Sequence, residues 1–190
     1  MRPQSVLALA LPLCAAALAA CNGNGGTNAQ RLTPQQVQGV YAVCSLRFRP
    51  SQSALPVADL LQTIVSTNPP SPKQPPSLTL SGQAADYQLL YTRRSDSFTQ
   101  ELRGGLSYGG TAVFASLPDE GSSDVRRELL LPGTVQLNYS DAPRRLTVAS
   151  GVSYTVRRSD YAKAAGITEE GLQDRIGGSL EGTFAVGGCP

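Results

Sequence analysis

Residues 134–156 read TVQLNYSDAPRRLTVASGVSYTV and contain the pattern that decides the fold. Val135, Leu137 and Tyr139 alternate with polar residues, as in a strand that buries one face and exposes the other. Two further alternating runs follow within this stretch, and turn residues such as Ser, Asp, Pro and Gly precede each of them. The stretch therefore predicts three consecutive antiparallel strands joined by short turns.

The same alternation continues outward from this stretch. It extends over most of the chain from residue 77 onward, and an earlier strand is predicted at 38–48. The glycine pairs at 104–105 and 109–110 are predicted to be turns or bulges. Nine or ten short strands, about 8–12 residues apart, predict an antiparallel barrel or sandwich around one core.

Three stretches have helical character instead. Thr33-Pro34 starts one helical turn, and the apolar spacing of three and four over 55–67 predicts a short amphipathic helix. A late helix is predicted from Thr168 to Ile176, ended by Gly177-Gly178. The proline-rich segment 68–76 is predicted to be an exposed connection, with a rim segment or a docking peptide as the alternative.

Composition limits the class of protein. The 190 residues indicate one domain or at most two small ones, and a hydrophobic content of 41% is sufficient for a core. A formal charge of +2 argues against a chain devoted to nucleic acid. The sequence contains no histidine, which excludes Ser-His-Asp and Cys-His catalysis and imidazole metal sites.

The N-terminus reads MRPQSVLALALPLCAAALAAC and has the features of a secretory signal. A short positive region at Arg2 precedes an apolar run and then small residues. The apolar run is shorter than the roughly 20 residues that a membrane-spanning helix needs.

Leu18-Ala19-Ala20-Cys21 resembles the lipobox of bacterial lipoproteins. The resemblance implies cleavage between Ala20 and Cys21, followed by acylation of Cys21 with a diacylglyceryl group and usually an N-acyl chain. An aspartate directly after the lipidated cysteine would favour retention in the inner membrane. This chain has Asn22 there instead, which favours the outer membrane if the organism has one. A soluble secreted protein with a chance cysteine at this position is the alternative.

These features divide the chain into three parts. Residues 1–20 are the predicted signal peptide, 21–32 the lipidated cysteine with a flexible polar linker, and 33–190 a single β-barrel domain. The predicted location is the cell envelope, facing the periplasm or the exterior. The predicted partner there is the lipid bilayer, through the acyl chains of Cys21.

Two cysteines then remain for the domain, because Cys14 leaves with the signal and Cys21 takes lipid. Cys44 and Cys189 form an even pair in an oxidising compartment, which predicts a disulfide. Two buried free thiols are the alternative. Two thiolates without histidine are too few ligands for a metal site.

The order of elements over residues 33–188 is similar to that of the lipocalins, or more broadly the calycins. Gly39-Val40-Tyr41 falls at the position of the family's Gly-x-Trp, with tyrosine in place of tryptophan. The resemblance implies an all-β, antiparallel meander barrel of 8–10 strands with one or two short helices. The first and last strands of such a barrel are neighbours, which brings Cys44 and Cys189 within reach of each other.

An eight-stranded barrel is about wide enough to hold one small ligand. We expect such a ligand to occupy an apolar pocket on the order of several hundred Å³, and a filled interior would argue against it. The side chains predicted to face the ligand are Tyr87, Leu89, Tyr91, Val135, Leu137, Tyr139 and Tyr154.

The acidic residues form no recognisable catalytic or metal site. Asp119-Glu120 lies in a predicted turn, and Glu169-Glu170 fits a helix start. We therefore predict a protein that is not an enzyme and that needs no metal or cofactor. A hydrolase using two carboxylates, as glycosidases do, is the least favoured alternative.

Arginine occurs in four doublets, which are predicted to be solvated charges. The functional alternative is a basic rim that attracts anionic lipid, glycan or another envelope component. The doublets are Arg93-Arg94, Arg126-Arg127, Arg144-Arg145 and Arg157-Arg158.

The predicted function is that of a membrane-anchored, non-catalytic envelope protein that binds a small apolar or amphipathic ligand in its barrel. The alternative is a structural or interaction lipoprotein that contacts another envelope protein through its outer face or its proline-rich loop.

Overall fold

The structure is a computed structural model that describes residues 31–64, 76–92, 99–117 and 123–189. Ten strands and four short helices lie within these ranges. In chain order they are α1 (Pro34–Val37), β1 (Gly39–Pro50), β2 (Ala58–Asp59), α2 (Leu61–Ile64), β3 (Ser77–Leu80), β4 (Asp86–Thr92), β5 (Thr99–Gly109), β6 (Ala112–Ser116), α3 (Ser123–Glu128), β7 (Thr134–Asp141), β8 (Arg144–Val148), β9 (Ser153–Arg157), α4 (Arg158–Ala165) and β10 (Arg175–Ala185).

Eight of the strands form a closed antiparallel barrel, in the order β1, β3, β4, β5, β6, β7, β8 and β10. The barrel closes where β10 pairs with β1, from Ala42 opposite Ala185 to Pro50 opposite Gly178. The prediction of an all-β antiparallel meander barrel is confirmed.

Alternating burial explains why these residues form strands. In β3 and β4 every second side chain is buried, so Leu78, Leu80, Tyr87, Leu89 and Tyr91 all belong to the core. The residues between them face outward and are polar, apart from Leu90. This one-sided pattern places a single apolar core inside the barrel.

Beyond the barrel, β1 and β10 continue and form a small sheet with β2 and β9. We call this four-stranded part the extension; α4 packs against it. The buried ring of Phe48 meets Tyr154 and Tyr161 edge to face, with centroid distances of 5.5 and 5.9 Å. Gly178 leaves room for Phe48, because a Cβ there would lie 2.5 Å from the ring.

The predicted disulfide between Cys44 and Cys189 is confirmed, with the two Cα atoms 5.2 Å apart. The register between β1 and β10 shifts around Cys44, so that this residue bulges out of the ladder. Gly187 and Gly188 follow β10 with φ angles of 85° and 109°, a conformation that favours glycine. The bulge and the glycine turn together bring the two sulfur atoms into bonding distance.

The late helix is displaced from its predicted place. α4 begins directly after β9 and ends at Gly166, which has a left-handed φ of 67°. The prediction of a helix from Thr168 to Ile176 is wrong, because Ile176 is buried in β10 opposite Val156. Gly177-Gly178 likewise lies inside β10 and ends no helix. The buried side chains of Tyr161 and Ala162 instead fix the helix ten to eleven residues earlier.

Two other local predictions also differ from the structure. Of the helix predicted over 55–67, the described residues form only the single turn α2, while Ala58 and Asp59 pair with β1. Residues 65–75, which include most of the proline-rich segment, lie outside the described residues. The glycine pair 104–105 continues β5 and does not turn the chain.

Candidate functional site

The barrel interior contains most of the side chains predicted to face a ligand. Tyr87, Leu89, Tyr91, Val135 and Leu137 are all buried. All of these except Tyr91 line one internal cavity. The hydroxyl of Tyr91 hydrogen-bonds to the carboxylate of Glu128 at 3.2 Å.

The other two predicted residues, Tyr139 and Tyr154, do not line this cavity. The hydroxyl of Tyr139 lies within hydrogen-bond distance of the carbonyl of Gln36, at 3.1 Å, and of the carboxylate of Asp141, at 2.8 Å. Tyr154 donates to the carbonyl of Leu130 at 2.5 Å and meets the ring of Phe48 in the extension edge to face. Both rings therefore join elements at the ends of the barrel.

The internal cavity is small. Its volume is about 50 Å³ and its lining is entirely apolar. Pockets for drug-sized ligands typically measure about 300–1,000 Å³, and one water molecule takes about 30 Å³ in the liquid. This cavity is thus far smaller than the chamber of several hundred Å³ that a ligand-binding barrel was expected to have.

The buried tyrosines act as packing groups with one polar end. Burial raises the pKa of Tyr87 to about 12 and also raises the pKa of Tyr154, because the phenolate loses its hydration in the core. Both hydroxyls are therefore neutral at ordinary pH. The hydroxyl of Tyr87 donates a hydrogen bond to the carbonyl of Ser116 at 3.2 Å.

A larger cavity, of about 270 Å³, lies on the outside of the molecule, where α3, α4 and the extension meet. Its lining includes four arginines and one aspartate, and we call it the arginine cavity. The lining residues are Arg126, Arg127, Leu130, Leu131, Thr155, Val156, Arg157, Asp160 and Arg175.

Asp160 positions one wall of the arginine cavity. Both of its carboxylate oxygens accept hydrogen bonds from Arg127 at 3.2 Å, in a bidentate pair that joins α3 to α4. The Asp160 side chain is only 15% exposed, whereas the Arg127 side chain is 46% exposed, so water reaches the arginine side of the pair. Arg126 donates to the carbonyl of Leu131 at 3.4 Å.

Arg157 and Arg175 form the opposite wall. They are directly paired across β9 and β10, so their side chains leave the same face of the sheet. Like charges directly opposite each other destabilise a sheet. Among the described residues, no carboxylate lies within ion-pair distance of either guanidinium.

The sequence doublets thus separate in the fold. Both residues of 126–127 and the first residue of 157–158 line the arginine cavity. Arg158 instead lies 3.3 Å from Glu169 and 3.5 Å from Asp174. The pair Arg93-Arg94 and the acidic pair Asp119-Glu120 lie outside the described residues.

Arg144, of the remaining doublet, lies at the other end of the barrel. One of its nitrogens donates to the carbonyls of Gln36 and Gln38 at 3.2 and 2.8 Å, which holds α1 against the barrel. A side-chain hydrogen bond with Tyr139 is the main reason why the pKa of Arg144 is raised. This arginine is therefore a structural group.

Two charged residues of the arginine cavity, Asp160 and Arg175, were not singled out from the sequence. Asp160 follows Arg157-Arg158 in the first turn of α4, where a carboxylate is favoured by the helix dipole. Arg175 lies opposite Arg157 because of the register in which β9 and β10 pair. The alternation of apolar and polar residues in the sequence does not determine that register.

Within the part of the chain that the structure describes, no group of three or more His, Cys, Asp or Glu side chains is placed to hold a metal ion. No helix in the same ranges is both long enough and apolar enough to cross a membrane.

No protein-family model, curated protein or solved structure matches the chain.

Proposed function

We propose that the protein is a non-catalytic lipoprotein of a bacterial cell envelope that binds another envelope component with its outer surface. The contrast between the two cavities described above carries the proposal. The internal cavity measures about 50 Å³, whereas the arginine cavity on the outside measures about 270 Å³ and is lined by four arginines.

Residues on both sides of the linker support attachment to the envelope. The sequence Leu18-Ala19-Ala20-Cys21 resembles a lipobox, and the disulfide is typical of proteins that fold outside the cytosol. Residues 1–30, with the signal peptide, the acylated Cys21 and most of the linker, lie outside the described residues. In an envelope with two membranes, Asn22 favours the outer one.

A labelling experiment tests the anchor. The full chain is expressed in a bacterial host that is fed an alkyne analogue of palmitate. We expect label on the wild type and on Cys14→Ser, and none on Cys21→Ser. Label that persists on Cys21→Ser, or a wild type that matures without label, would refute attachment at this residue.

A crosslinking experiment tests the binding surface. A photoreactive residue replaces Thr155, which lines the arginine cavity, or Gln88, which faces outward from β4 as the matched control. We expect a discrete adduct in intact cells from position 155 only, and its loss when Arg175→Glu is added. Equal adducts from both positions would mean that the arginine cavity is not the contact surface.

A second candidate is a small apolar ligand inside the barrel, which the wholly apolar lining of the internal cavity favours. The volume of the internal cavity, about 50 Å³, argues against this ligand. Titration with an apolar fluorophore distinguishes the two candidates, and the small cavity predicts no saturable binding. Saturable binding that Leu89→Trp abolishes would favour the internal site.

A further inference from the structure

We propose that the arginine cavity binds a phosphoryl group, carried either by a small soluble molecule or by a lipid headgroup. The inference rests on the proposed function, because it names the chemical class of the component that the outer surface takes.

The lining of the arginine cavity carries four guanidinium groups and one carboxylate, and that carboxylate accepts two hydrogen bonds from Arg127. No described carboxylate lies within ion-pair distance of Arg157 or Arg175. The cavity therefore presents the positive charge of these two arginines. Its volume of about 270 Å³ is large enough for a phosphate and part of the molecule that bears it.

Arg157 and Arg175 oppose each other across two paired strands. The register places these two like charges directly opposite each other, and no described carboxylate neutralises them. An anion between the two guanidiniums converts this repulsion into two sets of charge-assisted hydrogen bonds. A bound anion thus accounts for an arrangement that weakens the empty sheet.

The placement of the arginines on two walls favours a phosphoryl group over a carboxylate. The arginines come from two walls, with Arg126 and Arg127 on α3 and the other two on the extension. A tetrahedral phosphate monoester offers three oxygens and a charge of about −1.5 to −2, so it is able to accept bonds from both walls at once. A single carboxylate has one planar pair of oxygens and fits one arginine fork.

The arginine cavity lies at the end of the molecule where β10 begins. β10 runs from Arg175, at the arginine cavity, to Ala185, which pairs near the start of β1. Its eleven residues span about 35 Å. Leu32, next to the linker, hydrogen-bonds to Gly110 at the far end from the cavity. In an upright anchored barrel the arginine cavity therefore faces away from the protein's own membrane.

Inorganic phosphate is the first probe. Calorimetric titration uses the full chain, purified from its host membrane in neutral detergent. We expect saturable binding that Arg157→Gln and Arg175→Gln each weaken at least about tenfold, because each removes a charge-assisted interaction. The control Arg103→Gln, on the exposed face of β5, should bind like the wild type. No saturable binding, or equal binding by all four proteins, would overturn the proposal.

A charge reversal keeps the proposal testable if a neutral variant folds poorly. Arg175→Glu places a carboxylate opposite Arg157, so we expect a higher melting temperature than that of the wild type and no phosphate binding. Phosphate should also raise the melting temperature of the wild type and leave that of the variant unchanged. A variant that binds phosphate as well as the wild type does would refute the site.

Vesicles distinguish the two sources of the phosphoryl group. The lipidated protein is inserted in phosphatidylcholine vesicles and mixed with free vesicles of phosphatidylcholine alone or with added phosphatidic acid. If only the phosphatidic acid vesicles are tethered and free phosphate competes with the tethering, the ligand is a lipid headgroup. If phosphate binds and no vesicles are tethered, the ligand is a soluble molecule. If neither is observed, the inference is overturned; neither readout measures acylation of Cys21, so this result is distinct from failure of the anchor.

Discussion

Gly104 shows how a single residue position determines the packing of the barrel. It lies in β5 beside Tyr87, and a Cβ at this position would lie 2.6 Å from the Tyr87 hydroxyl and would also collide with the carbonyl of Ser116. Its neighbour Gly105 has open space where its Cβ would be. The two adjacent glycines therefore differ in the reason for their presence.

We predict that Gly104→Ala destabilises the protein by about 1–3 kcal/mol, because the backbone of β6 and the Tyr87 ring must both move. Urea unfolding measures the change. The matched variant Gly105→Ala should stay within about 0.5 kcal/mol of the wild type. Equal losses in the two variants would mean that the β propensity of glycine, and not the close approach of Tyr87, decides the effect.

Tyr87 also makes stability depend on alkaline pH. Burial raises its pKa to about 12, above the usual 10, so the unfolded chain loses the proton first as the pH rises. The contribution of Tyr87 to the free energy of unfolding is therefore complete below about pH 10. It falls by about 2–3 kcal/mol between about pH 10 and 12. We expect Tyr87→Phe to lose less stability than the wild type between about pH 8 and 11.5 in urea unfolding. Parallel losses would contradict the assignment.

At the scale of elements, α1 depends on a group far away in sequence. Arg144 of β8 donates to the carbonyls of Gln36 and Gln38, and Leu32 adds one backbone bond to Gly110. A helix of four residues does not hold together without such contacts.

We predict that Arg144→Met releases α1 and costs about 1–2 kcal/mol, the usual effect of losing hydrogen bonds from a charged donor. Hydrogen exchange should accelerate at the amide of Gln38, which bonds to the carbonyl of Pro34. Arg103→Met is the control, because its ion pair with Glu101 is exposed and is expected to contribute little. Unchanged exchange at Gln38 in Arg144→Met would refute the role of this arginine.

The strands were more predictable than the helices, for a physical reason. A strand buries every second residue, so Val135 and Leu137 predict β7 from the sequence alone. α4 was missed because its position depends on the burial of Tyr161 against the extension, and such burial depends on residues distant in the chain. The hydroxyl of Tyr161, for example, donates to the carbonyl of Pro56 at 2.6 Å.

The arginine cavity was predictable only in part. The sequence shows the doublets and their charge, but the meeting of Arg127 with Asp160, and of Arg157 with Arg175, follows from how α3, α4 and two strands are placed. The size of the internal cavity could not be predicted from the alternation of apolar and polar residues. That alternation predicts which side chains point inward, but not how much space they leave between them.

At the scale of the whole molecule, the disulfide joins the first strand of the barrel to the residues after its last strand. Its two cysteines are 145 residues apart in sequence. We predict that the double variant Cys44→Ala, Cys189→Ala loses about 4–5 kcal/mol, since closing so long a loop restricts the unfolded chain. Urea unfolding of the variant, with and without a reducing agent, measures the loss. A reductant effect as large in the variant as in the wild type would contradict this origin.

The disulfide has a further consequence when a protease cuts the chain. Residues 44–189 form a covalent ring, so one nick within it opens the ring and releases no fragment. Both new ends stay on the same covalent body, and the strands around them keep their partners. In the proposed anchored protein, the part that contains the arginine cavity thus stays attached to the membrane after a single cleavage. Nicked protein should separate into two bands on a denaturing gel only after reduction.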